Sequence, residues 1–140
     1  AQVELCQADA NGIFNHPEDP KVDQADPNFN GFGRAVGDFK TGEWWFETVK
    51  PGSVAGPGGK PMAPHINVSV FARGINIHLN TRIYFDDEGE ANAVDPVLNL
   101  VEQAPRRDTM IAKRSTRDGQ TIYTFDIILQ GDNETVFFDV

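Results

Sequence analysis

The sequence predicts an all-β fold: a β-sandwich of mostly antiparallel strands with one short helix and long loops. Several segments alternate apolar and polar residues with the period of two that a half-buried strand shows. Phe is the dominant aromatic residue, with 10 copies against 2 Trp and 2 Tyr, and 13 Gly and 9 Pro can supply turns between short strands. Because 140 residues suffice for one hydrophobic core and no repeat or linker interrupts them, we expect residues 1–140 to form a single domain.

The N-terminal part of the sequence predicts short strands separated by irregular segments. Residues 1–7 already alternate as a strand does, so we expect the chain to start inside the fold, with its N-terminal part missing. Proline and glycine interrupt residues 13–34, which predicts one long surface loop. A short strand is expected over residues 35–38, and aromatic and β-branched side chains predict a strong strand over residues 44–49. Residues 55–61 are mainly glycine and proline, which predicts a flexible arm without regular structure.

Residues 65–73 carry the clearest two-sided pattern of the chain. One face is uniformly apolar and is expected to face the core: Ile66, Val68, Val70 and Ala72. The opposite face is polar at four of its five positions, so it should face a pocket, a partner or water: His65, Asn67, Ser69, Phe71 and Arg73. After a bend at residues 74–76, residues 77–85 repeat the alternation, which predicts a neighbouring strand.

The C-terminal part predicts one short helix among strands. Residues 86–92 form an acidic loop, and Asp95 is expected to cap a helix that has Pro96 at its first position and runs to about Gln103. The turn residues Arg117, Asp118 and Gly119 indicate a hairpin. Three further strands are expected, over residues 110–113, 121–129 and 135–140.

The charge balance and the single cysteine exclude several classes of protein. The formal net charge is −9, from 21 acidic and 12 basic side chains, and such an excess repels the phosphates of nucleic acid. The lone Cys6 excludes an internal disulfide framework and is expected to be a small buried residue. The sequence has neither a signal peptide nor an apolar run near the ~18 residues of a membrane span, so we expect a cytoplasmic protein without a membrane partner.

Spacing alone gives only weak indications of a functional site. His65 and His78 lie on consecutive predicted strands, but two histidines need a third ligand and an ordered second shell to hold a metal. The acidic residues 86–90 lack the ligand spacing of a calcium loop, which favours a solvated loop. Arg73 next to Gly74 suits either a surface salt bridge or a ligand that bears a carboxylate.

Motifs along nearly the whole chain resemble those of the intradiol ring-cleaving dioxygenases. They include Lys50-Pro51-Gly52, Ala63-Pro64-His65 and Phe71-Ala72-Arg73-Gly74. The matching segments are residues 7–12, 26–29, 33–34, 48–52, 63–67, 71–77, 81–88, 95–99, 106–107, 125–127 and 131–139.

The resemblance implies a β-sandwich in a hetero-oligomer built from pairs of alpha and beta subunits. It implies cleavage of 3,4-dihydroxybenzoate by O2 between the two hydroxyl-bearing carbons, which gives 3-carboxy-cis,cis-muconate in the β-ketoadipate route of aromatic catabolism. It also implies a non-haem Fe(III) held by two tyrosines and two histidines, ligands that suit ferric iron.

This sequence departs from the family at the implied iron ligands. Phe14 and Val54 stand where the resemblance places tyrosines, and Asn67 stands where it places the second histidine of a His-x-His pair; only His65 is kept. Phe and Val have no donor atom, and Asn is a weak ligand for ferric iron. The resemblance is therefore to a non-catalytic alpha subunit without metal ligands or catalytic residues of its own, whose beta subunit binds the iron.

The resemblance also gives Arg73 a role. In alpha subunits of this family, the arginine of this stretch reaches into the active site of the beta subunit, where the aromatic substrate occupies a shared pocket. Alpha subunits also supply a pocket segment near their N-terminus, which this sequence does not contain. Two alternatives stay open: a homomeric intradiol enzyme with its own iron, and a transthyretin-like β-sandwich binding module without enzymatic role.

Overall fold

The computed structural model describes residues 1–38, 40–74 and 77–138. Within these residues lie eight strands, two short α-helices and four 3-10 turns, which confirms the predicted all-β class. The strands are β1 (Gln2–Gln7), β2 (Phe32–Val36), β3 (Val54–Ala55), β4 (Pro61–Met62), β5 (Ile66–Phe71), β6 (Leu79–Phe85), β7 (Ile111–Arg117) and β8 (Gln120–Thr124). The helices are α1 (Gly89–Val94) and α2 (Ala104–Arg107). The 3-10 turns are Val22–Gln24, Pro57–Gly59, Leu98–Leu100 and Asp108–Met110.

Six of these strands form one curled mixed sheet in the order β2-β1-β5-β6-β7-β8. The pair β6–β7 is parallel, and the other neighbouring pairs of this sheet are antiparallel. Strand β1 lies between β2 and β5, and its residues Gln2 to Gln7 pair with Phe71 to Ile66. The predicted hairpin joins β7 to β8, with Asp118 at φ 52° and Gly119 at φ 79° in its turn.

Three of the four residues of the apolar face predicted for residues 65–73 lie in the core, whereas Ala72 follows the end of β5 and is half-buried. Ile66, Val68 and Val70 are each at most 3% exposed, because every second residue of the strand points to the same side. They belong to the main buried cluster, which is completed by Val3, Leu5, Ile83, Phe85 and Ala112. A smaller buried cluster lies beside it and consists of Ala63, Tyr84, Leu98 and Met110.

Extended segments without ladder pairing cover the main cluster and make the fold sandwich-like. Residues 44–49 are not a strand, contrary to the prediction, although Trp44 and Phe46 stack at 5.9 Å between ring centroids and pack on the core. The predicted strand 121–129 ends at Thr124, yet Phe125 and Ile127 continue the alternation and also pack there. Aromatic content favours a strand in both segments, and alternate side chains do pack on the core, but a strand also needs a paired backbone.

The helical segments differ from the prediction in place and length. The six-residue α1 lies in the expected acidic loop, where the Asn92 Nδ2 donates to the Phe85 carbonyl at 2.8 Å. Asp95 caps the next turn as predicted, since its Oδ1 accepts the backbone N–H groups of Val97 and Leu98 at 2.9 and 2.7 Å. That turn is only the 3-10 turn at Leu98–Leu100 and does not reach Gln103.

The expected flexible arm at residues 55–61 is instead a small hairpin. Val54 pairs with Met62 and Ala55 with Pro61, and two glycines with positive φ form the tip. The prolines do not prevent this ladder because it is only two residues long and needs few N–H donors. The Gly56 N–H instead donates to the Lys60 carbonyl at 2.7 Å.

Three further predictions differ from the structure. Strand β2 begins at Phe32 and ends at Val36, earlier than the predicted 35–38, because Cys6 pairs with Phe32 along β1. Cys6 is exposed rather than buried, since it lies on the outer face of the sheet. The predicted last strand is a single bridge between Asn80 and Phe138. Outside the described residues lie the last two positions of that strand and part of the bend at 74–76, namely Asp139, Val140, Ile75 and Asn76.

No helix in the described part of the chain combines the length and the apolar character that a membrane crossing requires.

Candidate functional site

Three of the four positions that the resemblance matches to iron ligands, namely Val54, His65 and Asn67, lie near one arginine on β6. Asn67 is the direct cross-strand partner of Arg82, and Val54 is the partner of Met62. The Arg82 Nη1 lies 3.4 Å from the Met62 Sδ and 3.3 Å from the Tyr84 hydroxyl. The structure thus gathers strands β3 to β6 around a guanidinium.

His65, which the resemblance matches to a histidine ligand, is almost completely buried at 4% exposure. Its Nδ1 lies 2.8 Å from the Ala63 carbonyl, which can only accept, so Nδ1 carries the proton and Nε2 is the unprotonated nitrogen. The His65 ring packs against Tyr84 with 5.7 Å between centroids. Burial first, and the positive charge of Arg82 second, lower the pKa of His65, so the imidazole is held neutral.

Asp95 anchors this group of side chains and is completely buried. Besides the two cap bonds, its carboxylate accepts the Ala63 N–H at 2.8 Å and the Tyr84 hydroxyl at 3.1 Å. The Tyr84 hydroxyl in turn accepts a hydrogen bond from Arg82, so the phenol bridges the guanidinium and the carboxylate. Burial raises the pKa of Tyr84, which keeps the phenol protonated as this bridge requires.

Phe14 follows a turn that docks against Val54. The Asp9 Oδ1 accepts the N–H groups of Asn11 and Ile13 at 2.9 and 3.0 Å, which fixes the turn. A Cβ atom at Gly12 would lie 2.1 Å from the Ser53 carbonyl oxygen and 3.6 Å from the Val54 Cγ1. Glycine at position 12 therefore allows the close approach that brings the Phe14 segment to Val54.

The side chains gathered here do not fit Fe(III). Phe14 and Val54 offer no donor atom, Asn67 offers a neutral amide, and His65 offers one imidazole. The nearby guanidinium adds a positive charge where a trivalent cation would need anionic ligands. Across residues 1–38, 40–74 and 77–138, no group of three or more His, Cys, Asp or Glu side chains is arranged to hold a metal ion.

Arg73 lies apart from this group. It follows the C-terminal end of β5, whereas His65 precedes the N-terminal end, so the six residues of the strand separate them by about 20 Å. Its side chain is exposed beside Gly74, whose φ is 86°. Within the part of the chain that the structure describes, Arg73 makes no hydrogen bond or ion pair.

Lys50, of the Lys-Pro-Gly motif, belongs to a separate cluster at the other side of the sheet. Its Nζ lies 2.7 Å from Glu88 and 3.2 Å from Asp87, and the Tyr123 hydroxyl donates to Asp87 at 2.7 Å. Burial acts to lower the pKa of Lys50, but its two carboxylate partners outweigh it and the pKa is raised. These contacts tie the turn after residue 49 to the end of β6.

Sequence reasoning missed the residues that hold the site together, namely Met62, Arg82, Tyr84 and Asp95. One signal was available, because Arg82 and Tyr84 alternate with the core residues of β6 and so share the face of Asn67. The N-cap role of Asp95 was predicted, but its bonds to Ala63 and Tyr84 join residues about 30 and about 10 positions away, which spacing does not reveal.

Comparison with known proteins agrees with the resemblance found in the sequence. A family model described as dioxygenase matches residues 1–131. The protocatechuate 3,4-dioxygenase alpha chain of Pseudomonas putida is 58% identical over 137 residues, which cover 98% of this chain and 66% of the relative. The alpha chain of Burkholderia cepacia is 49% identical, with 100% of this chain and 68% of the relative covered.

A beta chain is similar as well. The protocatechuate 3,4-dioxygenase beta chain of Burkholderia cepacia is 36% identical over 140 residues, which cover 95% of this chain and 58% of the relative. The chain spans about two thirds of the length of the curated alpha chains that it matches. With a family model that matches residues 1–131 of 140, this chain belongs to the dioxygenase family.

Proposed function

We propose that this chain is the non-catalytic alpha subunit of a heteromeric Fe(III) protocatechuate 3,4-dioxygenase. The assembly cleaves 3,4-dihydroxybenzoate with O2 to 3-carboxy-cis,cis-muconate, in the β-ketoadipate pathway. The beta subunit binds the iron, and this chain shapes the assembly and the substrate pocket of that subunit. Identity supports the alpha assignment, since it is 58% and 49% with two alpha chains and 36% with a beta chain.

One observation carries the non-catalytic assignment. The described side chains at positions 14, 54 and 67 offer no anionic donor, and the guanidinium of Arg82, the cross-strand partner of Asn67, lies beside the Tyr84 hydroxyl. Ferric iron in such surroundings would lack charge compensation.

Arg73 is the residue that we propose contributes to catalysis in the partner. Its guanidinium is exposed at the end of β5 and has no described partner within the chain that would hold it. A guanidinium offers two parallel N–H donors that match a carboxylate, so it suits the carboxylate of 3,4-dihydroxybenzoate. Its charge would also raise the local positive potential and favour an anionic substrate.

Purification with and without the partner tests the subunit assignment. The full-length protein is expressed alone and together with the beta subunit, and iron content and tyrosinate-to-iron visible absorption are measured. We expect iron and colour only in the complex. Iron and colour in this chain alone would show a homomeric enzyme, and their absence from both preparations would leave a binding module.

Substitution of Arg73 tests the shared pocket. In the complex, Arg73→Ala should raise KM for 3,4-dihydroxybenzoate about tenfold or more, because a charge-assisted hydrogen bond is lost. The same variant should change the kinetics much less with catechol, which lacks the carboxylate. Arg117→Ala, an exposed arginine at the end of β7, is the matched control and should leave both unchanged. Unchanged kinetics of Arg73→Ala with 3,4-dihydroxybenzoate would refute the role.

A further inference from the structure

Arg82 occupies a central position among the former ligand residues. It lies opposite Asn67 in the β5–β6 register, and its Nη1 contacts Met62, the cross-strand partner of Val54. The same Nη1 contacts the hydroxyl of Tyr84, whose ring packs on His65. One side chain therefore touches the nearest neighbours of Val54 and His65 and faces Asn67 directly.

The Arg82 guanidinium links separate parts of the chain through its contacts. Arg82 is half-buried, and among the described residues it forms no direct ion pair with a carboxylate. Its charge is compensated through the Tyr84 hydroxyl by the buried Asp95, which also holds the Ala63 N–H. The side chain thus ties β6 to β4 and to the loop that contains Asp95, the kind of link that a bound ion supplies between ligand-bearing elements.

We propose that Arg82 takes the place of the metal ion and closes this site to metals. Its positive charge repels a cation at short range, and its Nη1 contacts Met62 and Tyr84, which adjoin Val54 and His65. The inference rests on the proposed correspondence of positions 14, 54, 65 and 67 to iron ligands. Its consequence is that restoring the missing ligands alone does not restore iron binding.

Two variants of the full-length protein separate the ligands from Arg82. The first carries Phe14→Tyr, Val54→Tyr and Asn67→His and keeps Arg82; the second adds Arg82→Gln, which is neutral and of similar reach. We expect near-stoichiometric iron and visible tyrosinate-to-iron absorption only in the second. A third variant, with Arg82→Lys in the same background, keeps the charge and should bind no iron. Equal iron in the first two variants, or none in the second despite native circular dichroism, would overturn the proposal.

A smaller change keeps the test decisive if the multiple variants do not fold. Asn67→His alone creates a His-x-His pair with His65, and zinc binding is measured by calorimetry with and without Arg82→Gln. Removing the charge should tighten zinc binding by at least about tenfold. Equal zinc affinities would refute the role of Arg82. Iron in the unmodified chain would instead refute the proposed non-catalytic function, so the two failures are distinguishable.

Discussion

Asp95→Ala should be among the most destabilising single substitutions in this chain. The carboxylate is completely buried and accepts four hydrogen bonds, from Ala63, Tyr84, Val97 and Leu98. Loss of the cap costs about 1 kcal/mol. The Ala63 N–H and the Tyr84 hydroxyl each lose a buried acceptor, at about 1–3 kcal/mol apiece. The variant also avoids the cost of burying the carboxylate, which offsets part of this loss. We therefore expect the free energy of unfolding to fall by about 3–5 kcal/mol.

Urea unfolding followed by circular dichroism measures this loss. With an m-value of about 2 kcal/mol/M, the midpoint should fall by about 2 M. Asp95→Asn keeps one oxygen but turns an amide toward the Ala63 N–H, so it should lose about half as much. Asp26→Ala is the control, because the Asp26 side chain accepts one exposed bond, from the Asn28 N–H at 2.9 Å. A midpoint for Asp95→Ala no lower than that of Asp26→Ala would contradict the reasoning.

Two other predictions follow from packing and from the buried histidine. Gly52→Ala should lower the free energy of unfolding by about 2–3 kcal/mol, because its Cβ would lie 2.6 Å from the Ala10 carbonyl oxygen. In the same urea titration Gly33→Ala is the control and should be nearly neutral, because its Cβ would meet nothing within 4 Å. Burial and the Arg82 charge lower the pKa of folded His65 below its ordinary 6.5. Because the unfolded chain therefore binds that proton more readily, the stability from neutral His65 is present above about pH 6.5 and is lost below it. His65→Gln should therefore show a smaller fall in midpoint between about pH 7.5 and about pH 5.5 than the unmodified chain, and an equal fall would refute this assignment.

Strand β5, which carries Asn67, was predictable because one of its faces is uniformly apolar. Residues 66, 68 and 70 alternate with polar neighbours, and a register slip of one residue would expose all three. The position of β5 in the sequence, and the side of it that faces the core, followed from this pattern. Asn67, which stands where the resemblance places a histidine ligand, could be located on it as well.

The remaining features depend on partners that the sequence does not identify. Trp44 and Phe46 pack on the core, but none of the strands in the described residues pairs with their backbone, and the Val49 carbonyl is instead held by the Gln7 side chain at 2.7 Å. The contact of Arg82 with Met62 depends on a hairpin at residues 54–62 that glycine and proline content did not predict. Such features arise from tertiary contacts that override local preference.

The place of β1 inside the sheet, between β2 and β5, has a consequence for how the chain folds. Its nearest paired residues with β5, Gln7 and Ile66, are about 60 positions apart, whereas the β7–β8 hairpin closes within a few residues. Closing that longer segment costs about 1.5 kcal/mol more conformational entropy than closing a loop of about ten residues. During synthesis β1 leaves the ribosome long before β5, so one edge of β1 stays unpaired in the meantime. This chain therefore depends on slow, non-local pairing, and its period of greatest exposure to aggregation comes before β5 is made.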